Sequence, residues 1–131
     1  MISALYFPIA SCRGTDKPDA APYDRRWFVV DDAGVWLAQG QCAKLADIQI
    51  DISMGCLVMR AAGMLRLDIP LDVIEDDDSV RRQATVGAQR LDVVDEGELV
   101  AAWLGNFLER PCRLVKVHPD SGPVLWPASS L

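Results

Sequence analysis

The sequence holds a single histidine, His118, and its four cysteines, Cys12, Cys42, Cys56 and Cys112, are scattered without one C-x-x-C pair. A structural zinc site needs three or four closely spaced His and Cys ligands, so none is expected. A serine or cysteine nucleophile needs a base held by a third group. Only His118 offers an imidazole, and it stands beside Pro119 with no orienting motif, so it is expected to be a surface or partly packed residue. No membrane-length apolar run occurs, and MISALYFPIASCRG has neither the basic leader nor the apolar core of a signal peptide. A cytoplasmic protein with reduced thiols is expected. Basic residues are in the minority, 13 against 19 acidic for a net charge of −6, and the longest basic runs are the pairs Arg25–Arg26 and Arg81–Arg82. Such a chain repels a phosphate backbone, so no nucleic-acid partner is expected.

What is present reads as one globular domain. Half of the 131 residues are hydrophobic and 24% are charged, enough apolar surface to build a core. Most of the chain falls into strand-sized pieces. Residues 3–9 are strand-like and end near Pro8, and 15–22 is a loop broken by Pro18 and Pro22. The aromatic and β-branched runs 26–31 and 35–39 flank Asp32-Ala33-Gly34, a hairpin signature. Alternation from Leu45 to Ile52, then across 56–61 and 64–69, predicts a meander, and 82–86 with 90–94 predicts a further hairpin. One helix is expected between Gly97 and Glu109, because Val100, Trp103, Leu104, Phe107 and Leu108 share an arc at helical spacing. Asp95 suits its N-cap, with Glu98 completing a capping box, and Pro111 limits the far end. A last strand over 112–117 precedes a proline-rich tail. The expected fold class is mainly β (α+β), a β-barrel or strongly bent mixed sheet with one C-terminal helix packed on it, since helical crossovers between strands are absent.

No residue set completes a catalytic constellation. Cys12 beside Arg13 could hold a lowered thiol pKa, but a half-buried cysteine packing at a strand end is the favoured reading. Glu75-Asp76-Asp77-Asp78 lacks the alternating ligands and glycine of a calcium loop and reads as a solvated segment. Trp27, Trp36 and Trp103 suit packing, whereas Trp126, between prolines, could mark a contact surface. A different combination is Ser11-Cys12-Arg13-Gly14 with Asp24-Arg25-Arg26-Trp27. Hydroxyl, glycine-turn amides and guanidinium groups are the set that cradles a phosphate or carboxylate, provided that the two segments meet in space.

The order Y-x-P-I-x-S-C-R-G, D-R-x-W-x-x-V-D-x-x-G, a Gln-containing strand, then A-A-W-L and R-L-V resembles the N-terminal β-barrel domain of the MOSC family. These are molybdenum-cofactor sulfurase C-terminal-type proteins, including the mitochondrial amidoxime-reducing component and its bacterial relatives. The resemblance runs from about Leu5 to Val117 and implies a barrel domain over 1–118 followed by a proline-rich tail over 119–131. It also implies contacts to a pterin phosphate from a serine falling on Ser11 and an arginine falling on Arg25, with Arg13 and Arg26 as candidate substitutes for a lysine whose place is taken by Ala10. The arginine of a following strand is missing from Leu37-Ala38-Gln39-Gly40-Gln41, and the loop between Gly14 and Asp24 is short.

The candidate cofactor-binding residues are therefore Ser11, Arg13, Arg25 and Arg26, with no catalytic or metal-ligating residue. The expected function is a stand-alone binding module for an anionic, molybdopterin-type phosphate ligand. No cofactor is required by the chain itself, and the molybdenum cofactor enters by resemblance. Two alternatives stand beside it. One is the barrel subunit of a split molybdenum-cofactor reductase or sulfur-transfer enzyme, whose partner is a separately encoded MOSC domain. The other is an interaction domain with a decayed site.

Overall fold

The computed structural model describes residues 6–38, 40–71, 81–118 and 124, and the fold over these residues is mainly β with one α-helix. Eight strands, β1 Ile9–Ala10, β2 Trp27–Asp31, β3 Gln49–Ser53, β4 Cys56–Arg60, β5 Leu67–Pro70, β6 Arg81–Val86, β7 Gln89–Asp95 and β8 Cys112–Val117, accompany the helix α1, Glu98–Leu108. They form a five-stranded sheet in the order β1-β2-β8-β7-β6 and a three-stranded sheet in the order β3-β4-β5. The first sheet is mixed, because β1 runs parallel to β2 while its other pairs are antiparallel.

Among the described residues the two sheets are not closed into a barrel, so of the two expected architectures the mixed sheet is the one present. The reason lies in the expected second arm of the first hairpin. Asp31 accepts the backbone N–H groups of Ala33 and Val35, and Gly34 supplies a φ of 81° for the turn. The arm that follows then divides its bonds: Leu37 N–H donates to Val29 while Trp36 N–H donates to Thr85. Bridges Val30–Trp36 and Val35–Thr85 span the gap between β2 and β6 as isolated pairs, not as a ladder.

Alternation along β2 explains how one sheet organises two cores. Trp27 and Val29 face inward with Ile9 and Leu114, against Ile50, Ile52, Leu57 and Met59 of the small sheet and Val100, Trp103, Leu104 and Leu108 of α1. Phe28 and Val30 face the other way with Val93 and Val115, beneath Trp36 and Ala38, and Val124 packs on that side. Trp27 has 0% exposure. Burying a side chain of that size contributes about 3 kcal/mol. Trp27, Trp36 and Trp103 are thus packing residues, as their sequence context suggested.

Several boundaries move. Strand β1 follows Pro8 instead of ending there, and Pro8 C=O accepts the N–H of Trp27. Residues 43–47 form a 3-10 helix, so the expected strand 45–52 begins only at Gln49; Ile48 N–H bonds back to Leu45 C=O, and both side chains are buried at this three-residue spacing. Pro18–Tyr23 is likewise a 3-10 helix inside the expected loop, with proline in its first turn, where a missing N–H costs nothing. Helix α1 is capped by Gly97; Asp95 accepts the Gly97 N–H and grips Arg113, and Glu98 also binds Arg113, so the expected capping box does not form. His118 is buried, not surface-placed, and its N–H donates to Asp92 C=O. The acidic run 75–78 and Trp126 lie outside the described residues, as does all of the tail except Val124.

Candidate anion site at the first loop

The turn after β1 is set by Ser11, which stands at φ 77° while Cys12 N–H closes back on Ile9 C=O. The chain then reverses, and Tyr6 and Thr15 exchange both backbone hydrogen bonds at 2.8 Å. Gly14 faces the Phe7 ring so closely that a Cβ would lie 2.8 Å from its Cε1, so any side chain there would have to displace the ring. Arg13 N–H donates to Ile48 C=O at 3.1 Å, fastening the loop to the entrance of β3.

The two motif segments do meet. Ile9 and Ala10 lie opposite Trp27 and Phe28, Phe7 N–H donates to the Asp24 carboxylate at 2.7 Å, and Arg25 N–H donates to Phe7 C=O at 2.7 Å. The Arg25 guanidinium sits 5.7 Å from the centre of the Phe7 ring and pairs with Asp24 at 3.1 Å. Arg25 holds a φ of 54°, so Ser11 and Arg25 both occupy the left-handed region that side chains seldom adopt. Because β1 and β2 are parallel, the segments adjoin at Phe7 and Arg25, while Ser11 lies at the opposite end of the pairing, buried. Arg26 links the segment to β8, its C=O accepting the N–H of Val117. Ala10, where the resemblance places a lysine, has no exposed surface and packs with Phe28 and Val115.

Arg13 is brought to other partners. It lines an open cleft of about 430 Å³ between loop 13–17 and the β3–β4 hairpin, with Lys17 and Arg60 as further cations and Asp16 and Asp51 as carboxylates. Gln49 and Arg60 are ladder partners, so the register of that hairpin delivers Arg60 to the cleft. Lys17 Nζ bonds Asp51 Oδ2 at 2.8 Å. Arg13 and Arg60 have no ion-pair partner among the described residues. Three cations against two carboxylates leave the cleft positive on a chain of net charge −6. Ser11, Arg25 and Arg26 are not among its lining residues, and Lys17 and Arg60 are the members that reading the sequence missed. A signal existed for Arg60, which lies near the end of the expected strand 56–61, the one paired through the meander with the strand whose wet face carries Gln49 and Asp51.

Two of the four thiols, Cys12 and Cys112, are unsuited to nucleophilic work. Cys12 packs in the core, as expected, but fully buried instead of half-buried, and burial, then the neighbouring Cys42, pushes its pKa well above the ordinary thiol value. Burial and Cys42 also push Cys112 up to about 11. Among the described residues no group of three His, Cys, Asp or Glu side chains is placed to hold a metal ion, and no helix is long and apolar enough to cross a membrane.

Comparison with known proteins gives these features a setting. A family profile described as the MOSC N-terminal beta barrel domain matches residues 1–111. The molybdenum cofactor sulfurase of Danio rerio is 36% identical over 129 residues, and that of Homo sapiens 35% over 130. Each match takes in 92% of this chain but only 16% and 14% of the relative, so the chain spans about one sixth of their length or less. A solution structure of a Bordetella bronchiseptica protein is 56% identical, superposes with a TM-score of 0.84, and is covered to 99% by 98% of this chain.

Proposed function

Because this chain belongs to the MOSC N-terminal beta barrel domain family, we propose that it is a binding module for a phosphate-bearing anionic ligand of the molybdopterin type. The reading rests on one observation: Arg13 and Lys17 from one loop and Arg60 from the end of β4 converge on one cleft in which two guanidinium groups lack a carboxylate partner among the described residues. Guanidinium forks and an ammonium are the donors that phosphoryl oxygens accept from most strongly. Arg13 belongs to the first family motif, and the Phe7 ring beside Gly14 also carries Arg25 of the D-R motif, which is paired with Asp24. Ser11, Arg25 and Arg26 stay in the proposal as residues the family likeness implies.

The donor set fits the phosphate end of the molybdenum cofactor and offers no thiolate to its metal, since Cys12 is sealed in the core. When bound, that cofactor supplies oxidoreduction or sulfur transfer, and this chain's own residues would bind and orient its charged end. The relatives carry the matched segment as a small part of a longer protein, which supports a second reading, in which a MOSC domain works together with this one. Titrating the 15N-labelled protein with inorganic pyrophosphate tests the first reading. Amide shifts are expected across residues 13–17, 49–51 and 60, and a titration that leaves them unmoved at millimolar ligand removes it. Copurification of a MOSC chain carrying molybdenum is the outcome expected of the second.

A further inference from the structure

Resting on the cleft reading, we infer that Asp51 is a built-in counterion which occupies Lys17 until a phosphoryl dianion replaces it. The Asp51 carboxylate is fixed from both sides: Oδ1 accepts the N–H of Ile52 at 2.8 Å and Oδ2 accepts from Lys17 at 2.8 Å. It stands on β3, opposite Val58 of β4, and these two hydrogen bonds are what hold its carboxylate in place. Lys17 is the mobile member. It comes from the loop wall of the cleft on four rotatable bonds, its side chain is 49% exposed, and its pairing with Asp51 joins one wall to the other.

A ligand entering between Arg13 and Arg60 meets an ammonium already neutralised by Asp51, and one further carboxylate, Asp16, that repels it. A monoanion that recruits Lys17 only exchanges one carboxylate partner for another, with little gain. A dianion presents more charge to the same ammonium and still has oxygens for the two guanidinium groups. Its attraction to a cleft of net positive charge grows with its own charge. The Lys17–Asp51 pair therefore acts as a threshold that sets the ligand class at phosphoryl or pyrophosphoryl dianions and excludes simple carboxylates. Binding proceeds by exchange of an ion pair, without covalent change.

Asp51→Asn is the discriminating variant, because the amide Oδ1 still accepts the Ile52 N–H while the charge is gone. It is expected to tighten pyrophosphate binding roughly fivefold by calorimetry at low salt. In the unaltered protein the Asp51 carboxyl 13C signal is expected to move as pyrophosphate, but not acetate, is added. If pyrophosphate binds yet Asp51→Asn binds it no more tightly, or the Asp51 signal stays still, the counterion role is wrong and the cleft reading survives. Absence of pyrophosphate binding to both proteins overturns the cleft reading, and this inference with it.

Discussion

Two charged clusters lie on this molecule, and they differ in whether their charges are already matched. In the first, at the end of the five-stranded sheet, Arg113 forms a forked pair with buried Asp95 and also reaches Glu98, while Asp31 is committed to its own turn. Those carboxylates hold the Arg113 guanidinium firmly in its charged form, the hydrogen bond to Asp95 being the main cause. In the second, the cleft beside loop 13–17, Arg13 and Arg60 have no such partner among the described residues. Similar residue types thus serve architecture in one place and remain open to a ligand in the other. The contrast between them yields experiments of graded size.

The largest effect is expected where the resemblance and the packing disagree. Ala10→Lys should not restore a phosphate grip; it should destabilise the fold by about 3 kcal/mol or more in chemical denaturation, because the site is fully enclosed between Phe28 and Val115. Unchanged stability together with tighter pyrophosphate binding would show that the lysine finds an exit and that Ala10 borders the site. Arg113→Ala should cost about 2 kcal/mol, since it leaves the buried Asp95 carboxylate without its fork.

The cleft should behave in the opposite manner. Arg13→Ala combined with Arg60→Ala is expected to change stability by no more than about 0.5 kcal/mol, both residues being exposed. The same double change should weaken pyrophosphate binding by at least about tenfold, through two lost charge-assisted contacts. A double variant that melted early while binding normally would reverse the assignment of roles.

The smallest effect concerns acid. Arg81 holds the Asp92 carboxyl below the usual carboxylate range chiefly by a hydrogen bond, and Lys44 does the same for Glu109. Carboxylates with depressed pKa stabilise the fold above their unfolded values and lose that contribution as pH falls through the folded ones. Melting scans should therefore show a gentle loss of stability below about pH 4. Arg81→Met should flatten part of that slope, and an unaltered slope would mean that the Arg81–Asp92 pair is energetically silent.

The sequence was most readable where one element obeys one rule. Strand β8 occupies the expected residues 112–117, the β6–β7 hairpin and the three-stranded meander are present, and α1 buries Val100, Trp103, Leu104 and Leu108 as their spacing required. It was least readable where a residue has two competing uses. Asp95 and Glu98 look like a capping box but are drawn to Arg113, which is adjacent only in space. Ile48 fits the alternation with Ile50 and Ile52, but a strand would put Leu45 on the opposite face, and the inner core selected a 3-10 turn that buries both.

By itself the sequence determined the composition of the core, the strand and helix content and the family motifs, because periodicity and turn chemistry are local properties. It placed Arg13 in a candidate anion site for the same reason. Tertiary structure alone decided that Arg13 faces Lys17 and Arg60 instead of Arg25 and Arg26, that Ala10 is sealed, and that Asp51 holds Lys17. Those outcomes depend on the parallel register of β1 with β2 and on the antiparallel register of β3 with β4. A register joins residues far apart in the chain, and no local pattern of side chains specifies which charges it will bring face to face.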